Sequence, residues 1–112
     1  MTRMNSNKIR IFSGLNSKIL TERICTNLET TVAKSTTEVF PDGELLVKVE
    51  EDVRGRDCFI VLSTSYPTND NLMELMIFMD CLRRASAKQI IPVIPYLAYA
   101  RQDRKDKGRV PI

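Results

Sequence analysis

A chain of 112 residues, 43% hydrophobic and 28% charged, suits one globular domain with a real core, and its composition is neither that of a disordered tail nor of a membrane-embedded chain. Histidine is absent, which excludes a Ser–His or Cys–His nucleophile pair and a His-ligated metal within these residues. The net charge of +3 is concentrated: residues 101–109 set Arg101, Arg104, Lys105, Lys107 and Arg109 against Asp103 and Asp106, while residues 1–100 balance.

The opening "MTRMNSNK" is polar, without the apolar stretch of a secretory signal, so residues 1–7 are expected to be disordered and the cytoplasm is the expected compartment. No apolar run approaches the roughly 20 residues that a membrane-spanning helix needs. "KIRIFSG" (8–14) alternates like a strand and ends on Gly14. "NSKILTERICTNL" spaces Leu20, Ile24 and Leu28 one helical turn apart, with Asn16 or Ser17 available as a cap. "TTVAKSTTEVF" and "ELLVKVEE" are strand-like and flank Pro41-Asp42-Gly43, which predicts an antiparallel hairpin centred on 41–43.

"VRGRD" (53–57) is a basic turn, and "CFIVLSTS" (58–65) is continuously apolar at its start, as a strand covered on both faces would be. The next helix carries an expected capping box of Asn71 and Glu74, an expected apolar stripe of Leu72, Leu75, Met76, Met79 and Leu82, and Arg83 and Arg84 at its carboxyl end. "IIPVIPYL" closes as a buried strand with Pro92 near its start. Strand, helix, hairpin, strand, helix, strand predicts an α/β layer with a mainly parallel sheet, whose functional loops lie at the carboxyl ends of the strands. Cys25, Cys58 and Cys81 have no CxxC spacing and read as buried, reduced thiols.

The basic segment has three readings on composition alone. A solvated terminus and a nucleic-acid contact are two; the third is a site for phosphate arriving with Mg²⁺, which the interleaved Asp103 and Asp106 suit better than a bare polyanion. "FPDGE" has two: a hairpin turn with Phe40 in the core, or an aromatic and two carboxylates that read a purine.

Taken together, "IFSG", "FPDGE", "VRGRD", "NDNLMEL", "RRASAK", "VIPY" and "YARQDRKDKGRVPI" closely resemble the amino-terminal half of ribose-phosphate pyrophosphokinases, in family order from about Lys8 to Ile112. The resemblance implies a phosphoribosyltransferase-like α/β domain with a mainly parallel sheet flanked by helices plus a β-hairpin. It implies transfer of diphosphate from ATP to ribose 5-phosphate, Mg²⁺ as cofactor with ATP, inorganic phosphate and ADP as effectors, and dimers building a hexamer, with neither nucleic acid nor membrane as partner. Phe40, Asp42, Gly43 and Glu44 match the adenine-reading hairpin; Arg101 and Gln102 match the ATP-contacting pair. Lys105 and Asp106 fall in the loop that closes over the triphosphate, and Arg54 matches a regulatory phosphate position, beside its plain reading as a surface arginine. Pro41, Pro92 and Leu97-Ala98 depart from the family pattern. The resemblance also implies that 1–112 is one domain of a longer enzyme, with the second domain and the main catalytic and metal-binding residues beyond Ile112, and without useful turnover by itself. A non-catalytic regulatory subunit of the same family is the alternative.

Overall fold

The computed structural model describes residues 8–98. Three strands, β1 (Ile9–Ser13), β4 (Asp57–Val61) and β5 (Gln89–Val93), form a parallel sheet in the order β1-β4-β5. A separate two-stranded antiparallel ribbon is made by β2 (Ser35–Val39) and β3 (Leu45–Val49), and the helices are α1 (Lys18–Asn27) and α2 (Thr68–Arg84). The parallel α/β layer and the hairpin are as the sequence predicts.

Period-two alternation divides the sheet into two buried faces. Phe12, Cys58, Ile60 and Leu62 point toward Leu75, Phe78 and Leu82 of α2 and toward Val47 of the ribbon, forming the larger core. Ile11 and Val61 point the other way, toward Cys25 of α1, with Ile9, Ile24, Leu28 and Phe59 packed around them. An apolar covering on both faces explains why residues 58–62 read as a continuous hydrophobic run.

Several boundaries and faces differ from the sequence reading. The β4 ladder ends at Val61 because the Ser63 amide donates to Ser17 Oγ (3.2 Å) instead of to a strand. On α1 the inward residues are Thr21 and Cys25, while Leu20 is exposed; the Thr21 hydroxyl is satisfied by Ser17 O (2.7 Å) and Ser13 Oγ (3.0 Å). Ser17 is the N-cap residue, yet its side chain makes no capping bond. Pro92 is the fourth residue of β5, not near its start; β5 is an edge strand among the described residues, where a missing N–H costs least.

The largest correction concerns α2. It begins at Thr68 after Pro67, three residues before the expected cap, so Asn71 and Glu74 lie inside the helix and form no capping box. Its buried face is Asn71, Glu74, Leu75, Phe78 and Leu82, and Met76 is 57% exposed. The buried stripe is therefore turned from the expected one: Asn71, Glu74 and Phe78 are buried, Met76 faces outward, and Met79 packs half-buried against the core. The three cysteines are free; Cys25 and Cys58 are buried and Cys81 is half-buried. Burial pushes the Cys58 thiol up to about 11 and raises Cys25, so both are held protonated.

Candidate functional site

The carboxyl ends of the three strands are drawn together by backbone and side-chain bonds. Gly14 N–H donates to Val61 O (2.9 Å), and Asn16 Nδ2 donates to Ser63 O (2.7 Å), fixing the β1–α1 turn against the loop after β4. Asn71 Nδ2 reaches back from α2 to Ser65 O (2.8 Å). Buried Thr64 donates through its hydroxyl to Tyr96 O (2.9 Å) and accepts from Ala98 N (2.8 Å), so the chain following β5 is tied to the same loop. Asn16, Lys18, Arg23, Ser63, Ser65 and Pro95 contribute to the walls of an open cleft of about 600 Å³ at this edge.

The ribbon carries a second group of candidate residues. Its turn is closed by Phe40 N–H to Glu44 O (2.8 Å) and Gly43 N–H to Phe40 O (2.9 Å). The Asp42 carboxylate accepts from Glu44 N (3.0 Å), and Gly43 sits at φ 93, a conformation that glycine adopts without a Cβ penalty. This is the turn chemistry that Pro41-Asp42-Gly43 predicts. Phe40, Asp42, Gly43 and Glu44 are all exposed. The core alternative for Phe40 is thereby corrected: the residue is 40% exposed, at the end of a ribbon whose inner face is already open one residue earlier. Val47 is 6% exposed, whereas Val39 on the same face is 60% exposed.

Arg54 lies on a different surface. Its turn is pinned by Gly55 N–H to Ser86 O (3.0 Å), by an Arg54–Ala87 bridge, and by Asp52 Oδ1 accepting from Arg54 N (3.2 Å). Arg54 is thus held exposed beside the turn that follows Arg83 and Arg84, whose guanidinium groups pair with Asp80 at 2.7 Å each. The hydrogen bond from Arg54 N, followed by that from the Arg56 side chain, keeps the Asp52 carboxyl below its usual range; those from Arg83 and Arg84 do the same for Asp80. Arg101, Gln102, Lys105 and Asp106 lie outside the described residues, as do residues 1–7. Among the described residues no group of three or more His, Cys, Asp or Glu side chains is placed to hold a metal ion. No helix among them is long and apolar enough to cross a membrane.

One buried titratable residue escaped the sequence reading of the site. Glu74 is 2% exposed, and its Oε2 accepts from Leu15 N and from Thr37 Oγ1, both at 3.1 Å. A charged residue spaced four before Phe78 was the available signal, and the capping-box reading absorbed it. Burial raises the Glu74 carboxyl above its ordinary 4.5, with the two hydrogen bonds and Lys18 opposing. A raised acid binds its proton more tightly when folded. Wild type should therefore lose stability relative to Glu74→Gln as pH rises from 4.5 to the raised value, and the difference should be constant above it. Urea unfolding of both proteins across that range checks the sign.

Comparison with known proteins agrees with this architecture. Residues 9–112 match the family described as the N-terminal domain of ribose phosphate pyrophosphokinase. A ribose-phosphate pyrophosphokinase of Rhodopirellula baltica is 54% identical over 105 residues, covering 94% of this chain and 33% of the relative. That of Fusobacterium nucleatum is 51% identical over 109 residues, covering 97% and 34%. The solved phosphoribosylpyrophosphate synthetase of Mycobacterium smegmatis superposes with a TM-score of 0.86 at 38% identity, over 93% of this chain and 35% of that one. The chain spans about a third of the length of the curated relatives it matches. A family match over nearly the whole chain, with the same order of parallel layer and hairpin that the motifs predict, leaves one assignment: the protein belongs to the family of the N-terminal domain of ribose phosphate pyrophosphokinase.

Proposed function

We propose that this protein serves as the amino-terminal part of a ribose-phosphate diphosphokinase. In that reaction the anomeric hydroxyl oxygen of ribose 5-phosphate bonds to the β-phosphorus of ATP while the α–β phosphoanhydride bond breaks. The products are 5-phosphoribosyl 1-diphosphate and AMP, and the hydroxyl proton leaves to a base or solvent. Mg²⁺ arrives with ATP as part of the substrate, and no described residue is assigned to it. On this reading the hairpin tip recognises adenine: Phe40 stacks on the ring, while Asp42, Glu44 and the turn amides around Gly43 face its edge. Arg101, Gln102, Lys105 and Asp106 act on the triphosphate, the cations offsetting charge that develops there. Arg54 is a contact for inorganic phosphate or ADP as effector. Assembly as dimers building a hexamer in the cytoplasm completes the proposal.

The observation that carries the reading is an aromatic residue held 40% exposed at the tip of a rigid turn, flanked by two carboxylates, in a chain of this family. A phenylalanine exposed to that extent leaves ring surface on which a base can stack, which one tucked into the core would not. Calorimetric titration of the 112-residue protein with ATP, GTP and CTP tests it. ATP is expected to bind best, and Phe40→Ala is expected to weaken ATP about tenfold through lost stacking. Equal affinity in the variant, or indifference to the base, would overturn the adenine assignment. The reaction is tested in a chimera in which residues 1–112 replace the matching third of the Rhodopirellula baltica relative. It should release AMP from ATP only with ribose 5-phosphate present; a folded, ATP-binding chimera that releases none overturns the proposal.

A further inference from the structure

Glu74 sits where the helix otherwise packs Leu75, Phe78 and Leu82 into the core. An apolar side chain there would fill similar space without the cost of removing a carboxylate from water, so packing alone does not account for it. Its bonds differ from packing in having direction. Leu15 N belongs to the β1–α1 turn and Thr37 Oγ1 to β2, and both donors meet one oxygen of α2. Three elements distant in sequence converge on a single atom.

The ribbon needs such a fastening. Its ladder is made only with itself, outside the parallel sheet. Val47 seats its middle in the core, but hydrophobic contact fixes depth better than angle. Thr37 lies directly across from Val47, on the strand that runs to the tip, and beyond it the inner face is exposed at Val39. The Thr37–Glu74 bond, with the longer contact from Cys81 Sγ to Val47 O (3.8 Å) directly across from it, is thus the last directional tie to the body that the described residues make before the tip, and the only one on the strand leading to it. The same carboxylate oxygen holds the turn that follows Gly14 at the mouth of the cleft.

We propose that Glu74 is a positioning residue that sets the angle of the hairpin tip relative to the body, by joining Thr37 of the ribbon and the β1–α1 turn at one carboxylate oxygen. The positioning follows from geometry; its consequence for nucleotide binding rests on the reading of the tip given above. In the 112-residue protein, residual dipolar couplings report the orientation of amides 38–46 against those of β1, β4 and α2. Thr37→Val keeps a good strand former and removes one donor; its hairpin couplings are expected to depart from the wild-type orientation while those of the sheet persist. Thr37→Ser, which restores the hydroxyl, should restore the angle. Thr37→Val should also weaken ATP about fivefold, and that loss should vanish in a Phe40→Ala background, where the ring that the angle serves is gone.

A wild-type hairpin orientation in Thr37→Val overturns the positioning role. Equal losses of ATP affinity with and without Phe40 overturn its link to the tip. Failure of wild type to bind ATP at all overturns the nucleotide reading instead, while the dipolar couplings still decide the positioning role. Should Thr37→Val not fold, Glu74→Leu removes both bonds while filling most of the space, and wild-type hairpin couplings in that variant overturn the proposal equally.

Discussion

Phe78→Ala is expected to remove about 3–5 kcal/mol of folding stability, a large part of what a domain of this size possesses. The ring is fully buried, and its centroid lies 5.5 Å from that of Phe12 at an interplanar angle of 59°, joining α2 to the first strand of the sheet. Truncation would leave a cavity against Phe12 and Leu75, residues held by the sheet and by the helix itself, so little collapse is available. Met76→Ala on the same helix supplies the control: that side chain is 57% exposed and should change stability by less than about 0.5 kcal/mol. The pair also discriminates between the buried face seen in the structure and the stripe read from the sequence, which included Met76 and passed over Phe78. Urea unfolding monitored by circular dichroism measures both; a costly Met76→Ala with a harmless Phe78→Ala would reverse the orientation of α2.

Gly14→Ala should cost about 2–3 kcal/mol by overpacking, although only one methyl group is added. A Cβ at position 14 would lie within 2.9 Å of Leu62 Cβ, Cγ and Cδ1, and Leu62 is fully buried with no room to withdraw. Gly14 cannot retreat either, since its N–H is committed to Val61 O at 2.9 Å. Because the clash falls on one side chain, Gly14→Ala combined with Leu62→Ala should be less damaging than the two single losses added, with a coupling of about 1 kcal/mol or more. Strict additivity in that cycle would show that Gly14 is required for another reason.

The parallel layer and the hairpin were legible because local patterns carried them: alternation in 8–14, a continuous apolar run in 58–62, and a Pro-Asp-Gly turn between β-rich runs. The hairpin tip was legible at residue level because turn chemistry is local, and Asp42 and Gly43 perform the roles their types suggest. What escaped was set by partners distant in the chain. Glu74 looked like a cap because a capping box is a short-range pattern, whereas its actual partners are Leu15 and Thr37. Thr21 replaced Leu20 on the inner face of α1 because Ser13 and Ser17 stood ready to satisfy its hydroxyl, which no helical spacing reveals. Phe40 could not be placed by hydrophobicity, since whether a ribbon tip overhangs the body depends on where the body ends.

That overhang separates two demands that most folds must reconcile in the same residues. The ladder between Ser35–Val39 and Leu45–Val49 closes on itself, and the residues at its end add little to the interior. On the proposed reading of the tip, substitutions there can therefore retune which base is preferred while leaving the scaffold's foldability almost untouched, as a bit is changed without rebuilding the drill. Selectivity in such a protein is free to drift over evolutionary time at small thermodynamic risk, provided the collar that grips the bit is kept.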